Sequence, residues 1–305
     1  MDPQHVRYFL AVVDHGSVNA AAGAVGVAQP TISQGLRSLE RELKTPLFYR
    51  IGRGMVPTSA GHALVGPART ILRDMATAAG SVPDAEGRLN GRVDIRAHPA
   101  VASGALPLIV AEFHRRHPQV RVTLATMYDE SRVDELLHNA VCEVVVAHLP
   151  VACRAAESLT TLALGTQEYD LVLPPGEDSP QVGSLAWEDL DAAMIVVPQG
   201  TAHAQRMYEA MSPGQRARRP AVVVQNREAR LAFALAGAGP TWVERSLRDT
   251  ALQHGARVRE MVPALPARYG LVYHDESLSP PARAFLNVAA EIAGTTPEPA
   301  PASEA

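Results

Sequence analysis

The tightest constraint on the fold lies between Ser17 and Leu43, which read SVNAAAGAVGVAQPTISQGLRSLEREL. Ser17 is a helix cap, Val18 to Val25 a helix body and Gly26 its stop. A serine hydroxyl accepts the free N–H groups of a first turn, and glycine takes the left-handed conformation that ends a last one. Ala28-Gln29-Pro30 opens a second helix, where proline costs nothing because first-turn N–H groups lack helical partners anyway. On a wheel of 100° per residue, Leu36, Leu39 and Leu43 fall within about 40° of Ile32. Pro30, Gln34, Arg37 and Arg41 fall near the opposite pole, with Ser33 and Ser38 at the flanks. One face is core, and the other is a polar row with arginines and no acid before Glu40. A third helix precedes them: Asp2-Pro3 starts it, Val6, Phe9, Leu10 and Val13 form its apolar stripe, and Gly16 ends it.

A short polar helix face with arginine is what the major groove of duplex DNA accepts, its first turns toward base edges. A surface helix of an ordinary α-domain is the alternative. The next segment, Tyr49 to Thr58, reads as two short extended pieces around Gly52-Arg53-Gly54, a hairpin with Arg50 and Arg53 flanking its tip. Beside a helix pair this reads as a wing whose arginines meet the DNA backbone; a plain basic β-turn is the bland reading. Ser59 to about Val82 is a longer helix. Leu64, Ala68, Ile71 and Met75 step along it by four, three and four, a heptad seam suited to a second copy. Packing on its own domain is the other reading, and Pro67 inside the helix bends it or restricts its first turns. Residues 83–91 (PDAEGRLNG) are a polar linker.

Charge divides the chain at the same place. Residues 1–90 hold 9 Lys+Arg against 7 Asp+Glu, whereas the whole chain is at −4. A slightly basic front and an acidic rear fit a DNA-contacting head on a body that does not touch DNA. With 305 residues, 47% of them hydrophobic, two or three cores are expected. Cys142 and Cys153 form no CxxC pair, as expected of a reducing cytoplasm. MDPQHVRYF has no basic leader with an apolar run, and the apolar stretch near 231–243 is too short to span a bilayer, so no membrane partner is expected.

From Arg92 the texture changes. A strand at 92–97, a loop of small residues at 98–104, a helix at 106–117, a strand at 120–126, a helix at 133–139 and a buried strand at 144–146 follow one another. This order predicts a parallel α/β sheet. A second unit starts near Leu162. It has strands at 170–173, 194–197 and 221–225, helices at 187–190 and 227–236, and an amphipathic stretch at 243–252. A loop at 198–203 opens a further helix, and a strand at 269–273 and a helix at 281–292 close the unit. Gly294 to Ala305 is Pro/Ala-rich with no packing face and is expected to be disordered.

The order of parts resembles the LysR-type transcriptional regulators over nearly the whole chain, to about Gly294. The carrying residues begin with Tyr8-Phe9, Gly16-Ser17 and Ala28-Gln29-Pro30-Thr31-Ile32-Ser33. They continue with Leu36, Leu39-Glu40, Leu43, Pro46-Leu47-Phe48, Arg50, Gly52-Arg53-Gly54, Thr58 and Ala60-Gly61. In the rear, Phe113, His117-Pro118, 143–146, Leu173-Pro174-Pro175-Gly176, Gly237, Gly239, Ser279-Pro280 and Ala284-Phe285-Leu286 match in order. The resemblance implies a winged helix-turn-helix head (1–58), a dimerising linker helix and hinge (59–90) and a two-lobed, periplasmic-binding-protein-like α/β effector domain (91–293). Lobe I would comprise 91–163 and 268–293, lobe II 164–267. It also implies a homodimer or homotetramer on double-stranded DNA, responding to a small-molecule effector in the cleft. Four departures stand out: Ala28 at the usual serine cap, Gly35 inside the second helix of the motif, Lys44-Thr45, and Pro240-Thr241-Trp242 in place of an apolar strand. Gly35 predicts a weaker helix by about 1 kcal/mol.

The residues expected to meet DNA are Gln29, Pro30, Thr31, Ser33 and Gln34 at bases and nearby phosphates, with Arg37, Arg50 and Arg53 at phosphates. By position, His98, Ser103, Thr126, His148, Gln199 and Thr201 are candidates for the effector cleft. Ser103, near the start of the helix at Leu106, is either an anion ligand or a plain cap; His98 and His148 are either pocket groups or solvated loop histidines. His114 and His117 give an HxxH pair, but on a polar helix face beside Arg115 and Arg116, so no metal site is expected. No P-loop, full GxGxxG or nucleophile elbow is present; neither an enzyme nor a cofactor is expected. Two rival readings remain: a regulator with a vestigial cleft, or a solute-binding protein or enzyme whose N-terminal helices serve assembly alone.

Overall fold

A computed structural model describes residues 1–52, 54–80, 88–151, 153, 156–176, 180–197 and 201–300. The first three helices are α1 (Pro3–His15), α2 (Val18–Val25) and α3 (Gln29–Leu43). The Asp2 carboxylate accepts from the N–H of Gln4 and the Ser17 hydroxyl from that of Ala20, while Ala28 leaves α3 without a side-chain cap. Phe9, Ile32, Leu39 and Leu47 are fully buried where the helices meet. Strands β1 (Phe48–Ile51) and β2 (Gly54–Pro57) pair antiparallel around the tip at Gly52, which is left-handed at φ 59°. The N–H of Met55 donates to Gly16 O at 2.8 Å, which fixes the hairpin to the α1–α2 turn.

Gly35 has a structural reason that its helix propensity hides. It is buried beneath α1, and a Cβ there would stand 2.6 Å from Tyr8 Cδ2 and 3.0 Å from His5 Cδ2. The penalty of glycine in a helix interior is thus offset by the close approach of α1 and α3 that only glycine allows.

Helix α4 (Ser59–Gly80) carries Pro67 within it. The expected seam splits along this helix. Ala68 is fully buried in the head's own core, with Leu64 packed beside it, so Ala68 is not available to a second copy. Met75 is 49% exposed and Ile71 partly so. Arg69 pairs with Asp14 at 2.5 Å and binds α4 to α1. Most of the expected linker, 83–87, lies outside the described residues.

The rear begins with β3 (Gly91–Ala97), α5 (Pro99–Ala102), α6 (Leu106–Arg116), β4 (Val120–Thr126), α7 (Val133–His138) and β5 (Val144–His148). Next come β6 (Thr160–Gln167), β7 (Tyr169–Leu173), β8 (Val182–Ala186), β9 (Ile195–Val196), α8 (Ala202–Ala210), α9 (Pro213–Ala217) and β10 (Val222–Val223). The chain continues with α10 (Ala229–Leu235), β11 (Thr241–Glu244), α11 (Arg248–Gln253) and β12 (Arg257–Val262), and closes with β13 (Ala267–Tyr273), α12 (Pro280–Ala293) and β14 (Glu298–Pro299).

Lobe I is a six-stranded sheet in the order β14-β6-β13-β5-β3-β4. Only β3 with β4 and β3 with β5 pair parallel; β13 runs antiparallel to β5 and β6, because it returns from the other lobe. The three strands expected to be parallel from the sequence, β3, β4 and β5, are so, and the antiparallel strands make the whole sheet mixed. Phe113 of α6 meets Phe285 of α12 edge-on at 5.3 Å between centroids in the core on one face. Lobe II has the sheet β11-β7-β12-β8 and the short pair β10-β9. The chain changes sheet at Glu168 and again between Val262 and Ala267, so β6 stays with lobe I beyond the expected boundary at 164.

Three local expectations are corrected. The small-residue loop after β3 is the short helix α5, made possible by Pro99 at its first position and a cap from His98, whose Nδ1 accepts from the N–H of Ala100. The amphipathic stretch at 243–252 is the end of β11, a 3-10 turn and α11. The tail is not free as far as residue 300: β14 pairs with β6, and the N–H of Ala300 donates to Leu159 O at 2.8 Å, while 301–305 lie outside the described residues. The sheet edge offers backbone partners, which an apolar packing face is not needed to use.

Candidate functional site

Two surfaces gather the residues singled out by sequence. The first is the outer face of α3 with the hairpin beside it. Gln29, Pro30, Thr31, Gln34, Arg37 and Arg50 are exposed and Ser33 is partly exposed, while Ile32, Leu36 and Leu39 turn inward. Arg53 lies outside the described residues. Glu40, the one acid on this part of the helix before Glu42, does not oppose an anionic partner, because its Oε1 accepts the N–H of Leu47 at 2.8 Å and braces the entry to β1. Thr58 braces the exit, donating to Pro46 O at 2.8 Å and accepting from the N–H of Gly61. The helix and hairpin are thus held as one rigid unit with an acid-free outer row.

The second surface is the cleft between the lobes, about 850 Å³. Ser103 and Thr126 line it from lobe I; Gln225, Arg227, Arg230 and Glu244 line it from lobe II. Ser103 does not start α6. It ends α5, the cap position of α6 is Ala105, and the N–H of Ala105 donates to the Tyr269 hydroxyl at 2.9 Å. The helix N-terminus expected to hold an anion therefore has one of its N–H groups already satisfied. Thr201 is buried and caps α8, its Oγ1 accepting from the N–H of Ala204 at 3.0 Å. Gln199 lies outside the described residues.

Sequence reading missed the most concentrated charge in the cleft wall. Glu244 is buried at the end of β11 and accepts from Arg227 at 2.6 Å and from Arg230 at 2.5 Å. One carboxylate faces two guanidinium groups, and Arg227 Nη1 and Arg230 Nε are buried without a partner. Burial pushes the Glu244 carboxyl up, but the Arg230 and Arg227 charges outweigh it and hold it below the ordinary range. Only the tertiary fold brings 227, 230 and 244 together; a helix, a turn and a strand separate them in the chain, and no spacing motif joins them.

His98 and His148 are neither cleft-lining nor solvated. His98 follows β3 and His148 ends β5; they are 2% and 4% exposed and lie edge-on with ring centroids 5.3 Å apart. Glu130, 3% exposed, accepts from the backbone N–H of His148 at 2.9 Å and contacts its Nδ1 at 2.7 Å. From lobe II, His203 stacks on His148 at 5.8 Å, and Tyr169 stacks on His203 at 4.9 Å. Burial holds the His98 imidazole down to about 4 and the His203 imidazole to about 3, so both are neutral at ordinary pH. His114, by contrast, is exposed on α6, and His117, partly exposed, follows the end of that helix with its ring 5.1 Å from that of Phe113.

Pro240-Thr241-Trp242 does not spoil the cleft. Thr241 enters β11 as a buried residue, its hydroxyl donating to Ile195 O at 3.2 Å. Trp242 packs against Trp187, centroids 5.0 Å apart, in the core of lobe II. Neither residue lines the cleft. Cys142 and Cys153 are both buried, and burial pushes the Cys142 thiol up to about 12, far from thiolate reactivity. No helix among the described residues is long and apolar enough to cross a membrane.

Comparison with known proteins agrees with this anatomy. Residues 3–62 match the family described as bacterial regulatory helix-turn-helix protein, lysR family, and residues 86–293 match the LysR substrate binding domain. The nitrogen assimilation regulatory protein nac of Klebsiella aerogenes is 36% identical over 138 residues, 45% of this chain and 45% of that protein. The chain thus spans about half the length of the curated relatives it matches. Two solved structures share the fold over almost the full chain. A full-length OxyR variant from Pseudomonas aeruginosa has a TM-score of 0.68 at 19% identity, covering 97% of this chain and 99% of that one. Full-length CbnR complexed with its target DNA has a TM-score of 0.66 at 20% identity, covering 96% and 100%.

Proposed function

Because the chain belongs to the LysR family of bacterial regulators, we propose that it is a sequence-specific, DNA-binding transcription regulator governed by a small anionic effector between its lobes. The observation that carries the DNA reading is the exposed row on α3 beside exposed Arg50, backed by a core that fixes both. Gln29, Pro30, Thr31, Ser33 and Gln34 face base edges and nearby phosphates, and Arg37, Arg50 and Arg53 hold phosphates. CbnR, solved with its target DNA, carries the same fold. The protein acts in the cytoplasm as a homodimer or homotetramer and is not an enzyme. In the dimer, the exposed part of α4 around Ile71 and Met75 meets the second copy, and two half-sites follow from the symmetry.

Mutation separates the two kinds of DNA contact. Gln34→Ala is expected to reduce the preference for operator over random DNA, with general affinity little changed. Arg50→Ala is expected to weaken binding to all sequences and to lower the salt slope by about 0.9. Titrations at several salt concentrations test both; equal loss of specific and non-specific binding in both variants would sink the assignment.

The effector reading rests on the unpartnered N–H groups of Arg227 and Arg230 in the cleft wall. A carboxylate bound there satisfies them and balances the second guanidinium charge. Screening mono- and dicarboxylates by thermal shift is expected to find a ligand that stabilises the wild type by about 2.7 kcal/mol at 100 times its Kd. Arg227→Met should remove that shift. A panel in which no carboxylate moves the melting point would argue for the vestigial cleft.

A further inference from the structure

We propose that His98, Glu130 and His148 form a binding site for a divalent transition-metal ion of the zinc type, buried at the seam between the lobes. One ligand atom from each of the three residues lies within 4.8 Å of the other two. None of the three belongs to the set that lines the cleft, so the site is separate from the effector reading.

Three observations point to a cation. The first is charge. Glu130 is a carboxylate buried at the seam, and it contacts the N–H and Nδ1 of His148. A buried carboxylate is normally paired with a cation or bound to a metal. Arg227 and Arg230 pair with Glu244, and Arg206 contacts His203 rather than Glu130.

The second observation is an orphaned ring nitrogen. Glu130 occupies the Nδ1 side of the His148 ring, in contact at 2.7 Å. Nε2 is buried and has no hydrogen-bond partner. A histidine whose one nitrogen donates to a carboxylate while the other presents a free lone pair has the arrangement that metal-ligating histidines show. A metal ion bound at Nε2 fills that vacancy and brings a cation close to the buried carboxylate.

The third is the donor set. Two imidazoles, one of them held through its other nitrogen by a carboxylate, suit a zinc-type ion. His98 is edge-on to His148, and its Nδ1, which accepts from the N–H of Ala100 at 3.2 Å, has a lone pair to give; coordination there replaces that bond. Across the seam His203 of lobe II stacks on the His148 ring at 5.8 Å between centroids, its own Nδ1 in contact with Arg206 at 3.3 Å.

The test uses the full chain, stripped with a chelator and titrated with Zn²⁺ by calorimetry and with Co²⁺ by visible absorption. One Zn²⁺ per chain and the absorption of nitrogen- and oxygen-ligated Co²⁺ are expected. His148→Gln and Glu130→Gln should each weaken binding at least about tenfold. The double variant His114→Gln/His117→Gln, at the end of α6, should bind as the wild type does. Where His148→Gln fails to fold by circular dichroism, His98→Gln takes its place with the same expectation. Absence of stoichiometric Zn²⁺ binding by the wild type overturns the proposal. So does binding that survives both His98→Gln and Glu130→Gln, or that disappears in the α6 double variant. None of these readouts involves DNA, so failure here leaves the regulator assignment standing.

Discussion

Glu244→Gln is expected to cost the effector domain about 3–5 kcal/mol of stability, the range for removing one partner of a buried ion pair. The loss is large because the carboxylate is the shared partner of two buried guanidinium groups, Arg227 and Arg230, which are 7% and 4% exposed. Glutamine has the same shape but returns no charge, so two cations stay in a poorly solvated wall. Arg227 also lies over the Tyr169 ring at 5.9 Å, which holds it in place and prevents escape to water. For a domain of this size the change is on the order of 10 °C in melting temperature. The pH dependence has a definite sign. The Glu244 carboxyl is held low in the folded state, so its contribution is complete above the unfolded value of about 4.3 and is lost as pH falls through the folded one. Wild type and Glu244→Gln should therefore differ fully at neutral pH and converge in acid. Replacing all three charges by Met and Leu should recover much of the loss, as apolar substitutes for buried ion triads do. Equal melting of wild type and Glu244→Gln at pH 7 would show that the arginines find other partners.

Gly61→Ala is the second large effect, and it falls on the head. A Cβ at Gly61 would stand 2.2 Å from Leu47 O and 3.1 Å from Pro57 Cβ. That oxygen is backbone, and it already accepts the N–H of Thr58 at 2.9 Å, so it has little room to move. Leu47 itself is 1% exposed in the head's core. Overpacking of this kind typically costs about 1–3 kcal/mol, and a backbone collision belongs at the upper end. The helix would gain up to about 1 kcal/mol from replacing glycine, which is too little to compensate. The expected result is a lower melting point for the head and weaker binding to all DNA, because the hairpin base is pushed off α4. A variant that melts with the wild type and binds DNA equally would show that the 47–58 segment adjusts freely.

The three head helices, the hairpin and the long α4 were legible because their signals are local. Caps, glycine stops and a 3.6-residue apolar period are written within a few residues of the structure they dictate. The strand–helix alternation of lobe I was legible for the same reason. What local pattern does not carry is what depends on distant partners, and the lobe crossings came from the family resemblance alone. β6 and β13 pair over seven residues, yet β7 to β12 and all of lobe II lie between them in the chain. Neither strand's role as a lobe crossing therefore shows in its own pattern beyond an apolar run. The direction of β13, which makes the lobe I sheet mixed, follows only from where lobe II delivers the chain.

Sequence alone determined the class of molecule: a head with one polar helix face, a linker helix, and a two-lobed α/β body. It also marked His98 and His148 as notable, by position. Tertiary structure decided what such residues are for. Gly35 changed from a helix defect to the clearance for Tyr8. Ala68 moved from an outward seam to the core, and Ser103 from the cap of α6 to the end of α5. Glu130, which no spacing recommends, became the partner of His148, and Glu244 the partner of Arg227 and Arg230. The physical reason is the same in each case. Propensity and capping act over one turn of chain, whereas burial, steric clearance and charge pairing act through space. A residue's exposure and its neighbours exist only once the sheets and helices are in place.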